Sequence, residues 1–331
     1  MRVSLFFATV ILSVCVIGFH RLPDKIAVPR KYSSFTTQCV GRNILRIPDV
    51  FRPANITTGF FKPRSALESS TYDVVVDSSE LLGKSFPEHV RERRTQLKEH
   101  VSKTTDILRL EKSLSNNATL FRVQQIEDAY QSEIDFKVGD NLVVVKLDSY
   151  ENSFLVAEEQ LIKFMSDFSI TDPAQLRGFC LGNLTLNGDY VSESADYGWS
   201  DDTGNTIDVG IDTFRKDSSK PLLERTTGPD SLLNVFHIGH SVLRSGERRV
   251  AGMRAQEWLG WTKVGTEGDK KTFGFTMETM RPVPGKKTPL ITVAFDSAQK
   301  LKNGAETRTN MSNEEAMAFW DALIDSVQPV N

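Results

Sequence analysis

A short pattern occurs twice in the chain: Cys39-Val40-Gly41-Arg42 returns as Cys180-Leu181-Gly182-Asn183, and each copy runs into a short apolar segment. Internal self-similarity constrains architecture more than composition does, because a repeated segment encodes a repeated unit. Farther along, Asp73-Val74-Val75-Val76-Asp77 and Asp208-Val209-Gly210-Ile211-Asp212 follow the two cysteine motifs, each with the length and β-branched content of a strand. Each half then offers a strand pair. Ile134 to Val138 faces Leu142 to Leu147 across Gly139-Asp140-Asn141, and Phe273 to Glu278 faces Leu290 to Phe295 across a Pro/Gly-rich loop.

Both halves close on a predicted helix. Leu155, Ile162, Met165 and Phe168 mark one side of the first, while Ala316, Trp320, Leu323 and Val327 mark the second. Ser312 and Glu315 spell a capping box ahead of the second. A further helix, Ser85 to about Lys103, carries Phe86, Val90, Leu97 and Val101 on a stripe, with Arg91, Arg93 and Arg94 on a solvated face. Pro173 disfavours helical geometry in the residue before it, which sets the boundary near Thr171-Asp172. The expected fold is α+β: two related units, 23–171 and 172–331, each a mainly antiparallel sheet covered by helix and produced by internal duplication. At 331 residues the chain is long enough for both.

Residues 1–22 are read as a signal peptide or N-terminal anchor. Met1-Arg2 precedes an apolar run from Val3 to Phe19 and then a polar, Pro-containing stretch. Cleavage near Gly18 is the favoured outcome, and retention as a single anchor through residues 3–19 stays open. Membrane contact is expected only through this segment. Val14 is larger than the small residue that lipoprotein processing at Cys15 requires. Loss of the segment leaves Cys39 and Cys180 in a compartment where disulfides persist, so a bridge between them is expected.

Chemistry is hard to find. The chain lacks Gly-x-Ser-x-Gly, a phosphate-binding P-loop and Gly-x-Gly-x-x-Gly. His237-Ile238-Gly239-His240 spells a nucleotide-binding signature, but Val235 to Val242 reads as a strand whose histidines point to opposite faces. A formal net charge of -3 and the absence of a long basic run argue against nucleic acid. Two distant cysteines do not make a zinc site, and no cofactor is expected.

The acidic stretch 189–217 contains Asp189, Glu193, Asp196, Asp201, Asp202, Asp208, Asp212 and Asp217. Ser200-Asp201-Asp202-Thr203-Gly204-Asn205 does not reproduce the ligand spacing of a calcium loop. The favoured reading is a polar turn presented to a protein partner, with Trp199 as anchor and Asp196, Asp201, Asp202 and Asn205 beside it. A buried Trp199 is the competing expectation.

With these residues in view, the sequence resembles the periplasmic immunity proteins that neutralise the fourth group of type VI secretion lipase effectors. The resemblance is carried by Cys39-Val40-Gly41-Arg42 with Ile47-Pro48, Cys180-Leu181-Gly182, the Gly252 to Gly260 stretch with Glu257, and the Glu314-Glu315-Ala316 to Trp320-Asp321 helix with Ser326. The tail Ser326-Val327-Gln328-Pro329 departs from a more basic ending. The resemblance implies an exported, two-domain, non-catalytic binder that clamps a cognate phospholipase of α/β-hydrolase fold and blocks its active site or lid. The alternative is an envelope enzyme, or a small-ligand or metal-binding protein, that uses the acidic region 189–217.

Overall fold

The computed structural model describes residues 27–64, 71–103, 106–172, 176–214, 220–227, 240–263, 271–280, 285–297 and 311–330. The apolar N-terminal run, Asp217 and His237 lie outside the described residues. So does most of the strand expected over Val235 to Val242, although His240 opens a strand.

The first half runs β1 (Phe35–Val40), β2 (Asn43–Pro48), β3 (Arg52–Pro53), β4 (Ile56–Pro63), β5 (Tyr72–Asp77), α1 (Phe86–Lys103), β6 (Ile107–Ser115), β7 (Ala118–Ile126), β8 (Ala129–Val138), β9 (Asn141–Tyr150), α2 (Phe154–Met165) and β10 (Phe168–Ile170). The second half runs β11 (Phe179–Leu181), β12 (Leu184–Leu186), β13 (Tyr190–Ser200), β14 (Thr206–Asp212), α3 (Leu222–Thr227), β15 (His240–Val250), β16 (Met253–Lys263), β17 (Lys271–Thr279), β18 (Leu290–Asp296), α4 (Asn313–Ile324) and β19 (Gln328–Pro329). The fold is α+β with antiparallel pairing.

The repeated motifs are hairpin turns. Val40 pairs with Asn43 across Gly41-Arg42, and Leu181 pairs with Leu184 across Gly182-Asn183. Both glycines have positive φ, +58° and +64°, and the residues after them do not. Gly at the first position alone defines a type II′ turn, which explains why this residue recurs. The turns meet: the Cys180 N–H donates to Gly41 O at 2.8 Å, and Cys39 and Cys180 form a disulfide with Cα atoms 5.8 Å apart.

One sheet carries both halves in the order β15-β16-β17-β18-β14-β13-β4-β5-β9-β8-β7-β6, with β3 also pairing β13. The order reads as a palindrome about the β13–β4 seam. Two small sheets lie on the main one, β1-β2-β19 and β10-β12-β11. Each takes its hairpin from one half and its closing strand from the other. The halves are thus fused edge to edge through the β13–β4 pairing.

The inner layer is one apolar core that runs across the seam, through Val74, Val145, Tyr197, Val209, Val293 and Trp320. Helix α4 starts on the expected capping box, with Ser312 accepting from the Glu315 N–H and Glu315 accepting from the Ser312 N–H. It buries Ala316, Trp320 and Leu323. The face of α2 differs from its expectation: Ala157, Leu161 and Phe164 are buried, Leu155 is 62% exposed, and Phe168 belongs to β10. The helical period was right, but its phase was off, because a residue just past a helix end was counted on the stripe.

Candidate functional site

The residues nominated from sequence separate into two groups. Trp199 is 5% exposed, and Asp201 and Asn205 are buried as well. Asp196 and Asp202 are exposed. Trp199 points inward from β13 with Ala195 and Tyr197, stacking on Tyr197 with ring centroids 6.2 Å apart. It therefore cannot be a surface anchor. Replacing it with alanine would remove core volume and cost roughly 3–5 kcal/mol.

Asp201 organises the turn between β13 and β14. Its carboxylate accepts from the backbone N–H groups of Thr203 and Asn205, from the Asn205 amide and from Lys31 Nζ at 2.7 Å. The Tyr32 hydroxyl adds a further bond. Burial alone would raise the Asp201 pKa, but Lys31, Thr203 and Asn205 together hold it down at about 2. An aspartate at the start of a tight turn caps the following amide groups. Here the same carboxylate also ties residues 31–32 onto the second half.

Other acidic residues of the stretch are likewise committed. Glu193 has a fully covered side chain and receives a two-pronged contact from Arg42 at 2.6 and 2.8 Å. Asp189 is held down to about 2 by Lys286 and Arg64. These pairings take Asp189, Glu193 and Asp201 away from any metal or small-ligand site over 189–217.

Asp196, Asp208 and Asp296 behave differently. Val144 of β9 packs against the cluster under α1. It pairs with Val75, Val75 pairs with Thr58, and Thr58 pairs with Asp196. All four therefore share the outer face, opposite the core. On β13 and β14 Asp196 sits opposite Gly210, and Asp208 opposite Gly198. On β18 Ala294 faces Asp208, while Asp296 faces Thr206. The three carboxylates thus step diagonally over three strands among glycine, alanine and threonine. Each is exposed, and each has its pKa raised, by partial burial first and by a neighbouring carboxylate second. No cation is paired with any of them among the described residues.

A second feature lies at the seam on the inner side. A cavity of about 650 Å³ opens between the main sheet and the two hairpins. Its lining includes the Cys39 wall, Thr57 of β4, Ile170 of β10, Asn183 in the second turn and Trp199. Tyr197 stands at its back, accepting the Gly41 N–H at 2.8 Å and donating to the Cys180 carbonyl. Ala54 belongs to both features. It lines the cavity, and with the Asp208 carboxylate it flanks the place where a Cβ on Gly198 would sit. The acidic face and the cavity mouth therefore meet at one end of the seam. Sequence reasoning found Asp196 but missed Asp208 and Asp296 as its companions.

The seam-fused, antiparallel α+β scaffold is shared with solved immunity proteins of the type VI secretion system. The crystal structure of a Tle4–Tli4 complex includes a chain that superposes with TM-score 0.65 at 17% identity, covering 90% of this chain and 98% of that one. Immunity protein TplEi of the type VI system of Pseudomonas aeruginosa, complexed with an "L" peptide, gives 0.62 at 16% identity, with 90% and 99% covered. Its apo structure gives 0.62 at 16% identity, with 89% and 97% covered. A search of curated protein sequences finds no match. More particularly, residues 173–329 match the family described as Tle cognate immunity protein 4 C-terminal domain.

Proposed function

We propose that this protein is an immunity protein that binds a cognate type VI secretion lipase in the periplasm and holds it inactive, acting by occupancy and not by catalysis. The observation that carries this function is the match of residues 173–329 to the immunity family. The fold likeness over nine-tenths of the chain supports it. The partner is a lipase of α/β-hydrolase fold, and the apolar run Val3 to Phe19 directs export. Both halves contribute to the grip, because the carboxylate diagonal lies beside the seam and the seam cavity is lined from each side.

Asp196, Asp208 and Asp296 supply the steering. Three like charges without counter-ions cost the free protein stability, and a basic patch on the lipase relieves that cost on docking. Complementary charge of this kind acts mainly on association rate and weakens with salt.

The test uses the protein lacking residues 1–22 and the lipase encoded beside its gene, assayed on phospholipid vesicles. Stoichiometric inhibition is expected. The triple variant Asp196→Lys, Asp208→Lys, Asp296→Lys should associate at least tenfold more slowly at low salt and lose the parent's salt dependence. A lipase that stays fully active beside excess parent protein would sink the proposal.

A further inference from the structure

The seam cavity has three properties that together specify an occupant. The first is charge: among its lining residues there is no Lys, Arg, His, Asp or Glu, while Gln38, Asn55, Thr57, Thr171 and Asn183 offer neutral hydrogen-bonding groups. An anionic lipid headgroup or a free fatty acid would find no cation there. A neutral backbone would find both donors and acceptors.

The second property is an aromatic wall. Trp199 lines the cavity at 5% exposure and stacks on Tyr197, so it gives an entering apolar side chain a flat surface to pack on.

The third is an open strand edge. Among the described residues β1 pairs with β2 alone and forms the end of its small sheet, with Gly41 just past it bridging to Cys180. The Arg46 N–H donates to Ser326 Oγ at 2.9 Å, away from β1. Arg46 pairs with Thr37. In an antiparallel ladder, opposite residues of a non-hydrogen-bonded pair direct their amide groups away from each other. The N–H and C=O of Thr37 therefore point to the open side of β1, at the cavity mouth. Cys39, two residues on, points the same way.

We propose that the seam cavity receives an extended, uncharged segment of the lipase effector. The segment lies along the open edge of β1, bonds to the Thr37 backbone and sinks an apolar side chain into the cavity against Trp199. Strand addition supplies the affinity and the cavity selects the side chain. The volume suits such a role, since ligand cavities commonly span about 300–1,000 Å³. This inference rests on the immunity function proposed above and names the contact through which the effector is held.

The experiment follows the Trp199 indole ¹H–¹⁵N resonance, assigned by its loss in Trp199→Phe, while peptides tiled across the lipase are titrated into the mature protein. An uncharged peptide that shifts this resonance, with affinity reduced at least tenfold in Thr37→Pro, is the expected result. Thr37 is exposed on an edge strand, and thermal melting confirms that Thr37→Pro folds. Trp199→Phe replaces the fused indole with a single smaller ring, shortens that wall, and should weaken the same peptide severalfold. Oleate and lysophosphatidylcholine form the second arm, and a shift by either in place of every peptide overturns the proposal. If Thr37→Pro and Trp199→Phe bind and inhibit the intact lipase as tightly as the parent, the cavity has no part in the grip although the immunity function stands. If the parent itself fails to inhibit, both fall.

Discussion

The outer face of the sheet carries carboxylates in both halves, and two groups of them are treated in opposite ways. In the first half Glu133 and Asp135 of β8 are buried beneath α1. Arg93 grips Glu133 through two bonds of 2.6 Å, Lys146 stands 3.6 Å away, and His89 Nε2 meets Asp135 at 2.7 Å. In the second half Asp196, Asp208 and Asp296 have no cation beside them among the described residues, while Glu278 on the same face is paired with Arg225 of α3. Burial would push Glu133 up, but Arg93 and Lys146 hold it below its ordinary value, whereas Asp135, Asp196, Asp208 and Asp296 all resist ionisation. Asp135 is pushed up to about 6 by burial, with the Glu133 charge adding to it and His89 opposing it. The difference separates carboxylates that position α1 through ion pairs from carboxylates that hold no cation among the described residues.

The comparison breaks most sharply at Arg93. Arg93→Ala leaves Glu133 buried with only Lys146 near it, and a broken buried pair costs about 3–5 kcal/mol. Because the Arg93 side chain is 23% exposed, we expect a loss near the lower end, read as a lower urea midpoint at unchanged slope. An equal loss from Asp208→Ala would show that the two faces are not different after all.

A smaller effect comes from His89. Burial pulls its pKa down, but the bonds to Asp135 and Glu80 outweigh burial and leave it raised above 6.5. The folded state thus holds the proton more tightly than the unfolded chain. This stabilisation is full below about pH 6.5 and is lost as pH rises through the higher folded value. His89→Gln should be less stable than the parent by about 1–2 kcal/mol at pH 6, as expected for a hydrogen bond to a charged group. That gap should shrink at alkaline pH, and a gap independent of pH would contradict the assignment.

The smallest effect has the opposite sign. Asp208→Asn removes a like charge from Asp196 and Asp296, so it should stabilise by about 0.5 kcal/mol at neutral pH, in keeping with exposed charges in high dielectric. The Asp208 carboxyl has a raised folded pKa, so its penalty is complete above that value and disappears as pH falls toward 3.8. Melting curves of parent and variant should therefore converge in acid. The same variant should bind the lipase more slowly, and a gain in stability with no loss in association would remove Asp208 from the interface.

Much of the scaffold was legible because its signals are local. The two glycine turns, the Ser312–Glu315 cap and the alternating runs at 73–77 and 208–212 each depend on residues within a few positions. The role of Trp199 was also written locally, since Ala195, Tyr197 and Trp199 alternate with Ser194, Asp196, Gly198 and Ser200. That period-two pattern places the tryptophan inward, but the surrounding acidic composition masked it. Asp201-Asp202-Thr203-Gly204 equally spelled a self-capped turn. Arg93 was assigned to a solvated face because its partner, Glu133, is far off in sequence. The β4–β13 seam and the diagonal of Asp196, Asp208 and Asp296 depend on which strand lies beside which, and no short pattern encodes that.

The exchange of closing strands between halves bears on how the molecule is made. β2 cannot complete its sheet until Gln328 and Pro329 arrive, and β10 waits in turn on β12. The Arg46–Ser326 bond alone spans 280 residues. Contacts this distant must follow the closure of long loops, which slows folding and leaves strand edges open meanwhile. A chain threaded outward from its N-terminus would therefore reach its finished state only after its last residues emerge. Truncated products would remain unfinished, and they would be open to proteolysis before they could engage a toxin.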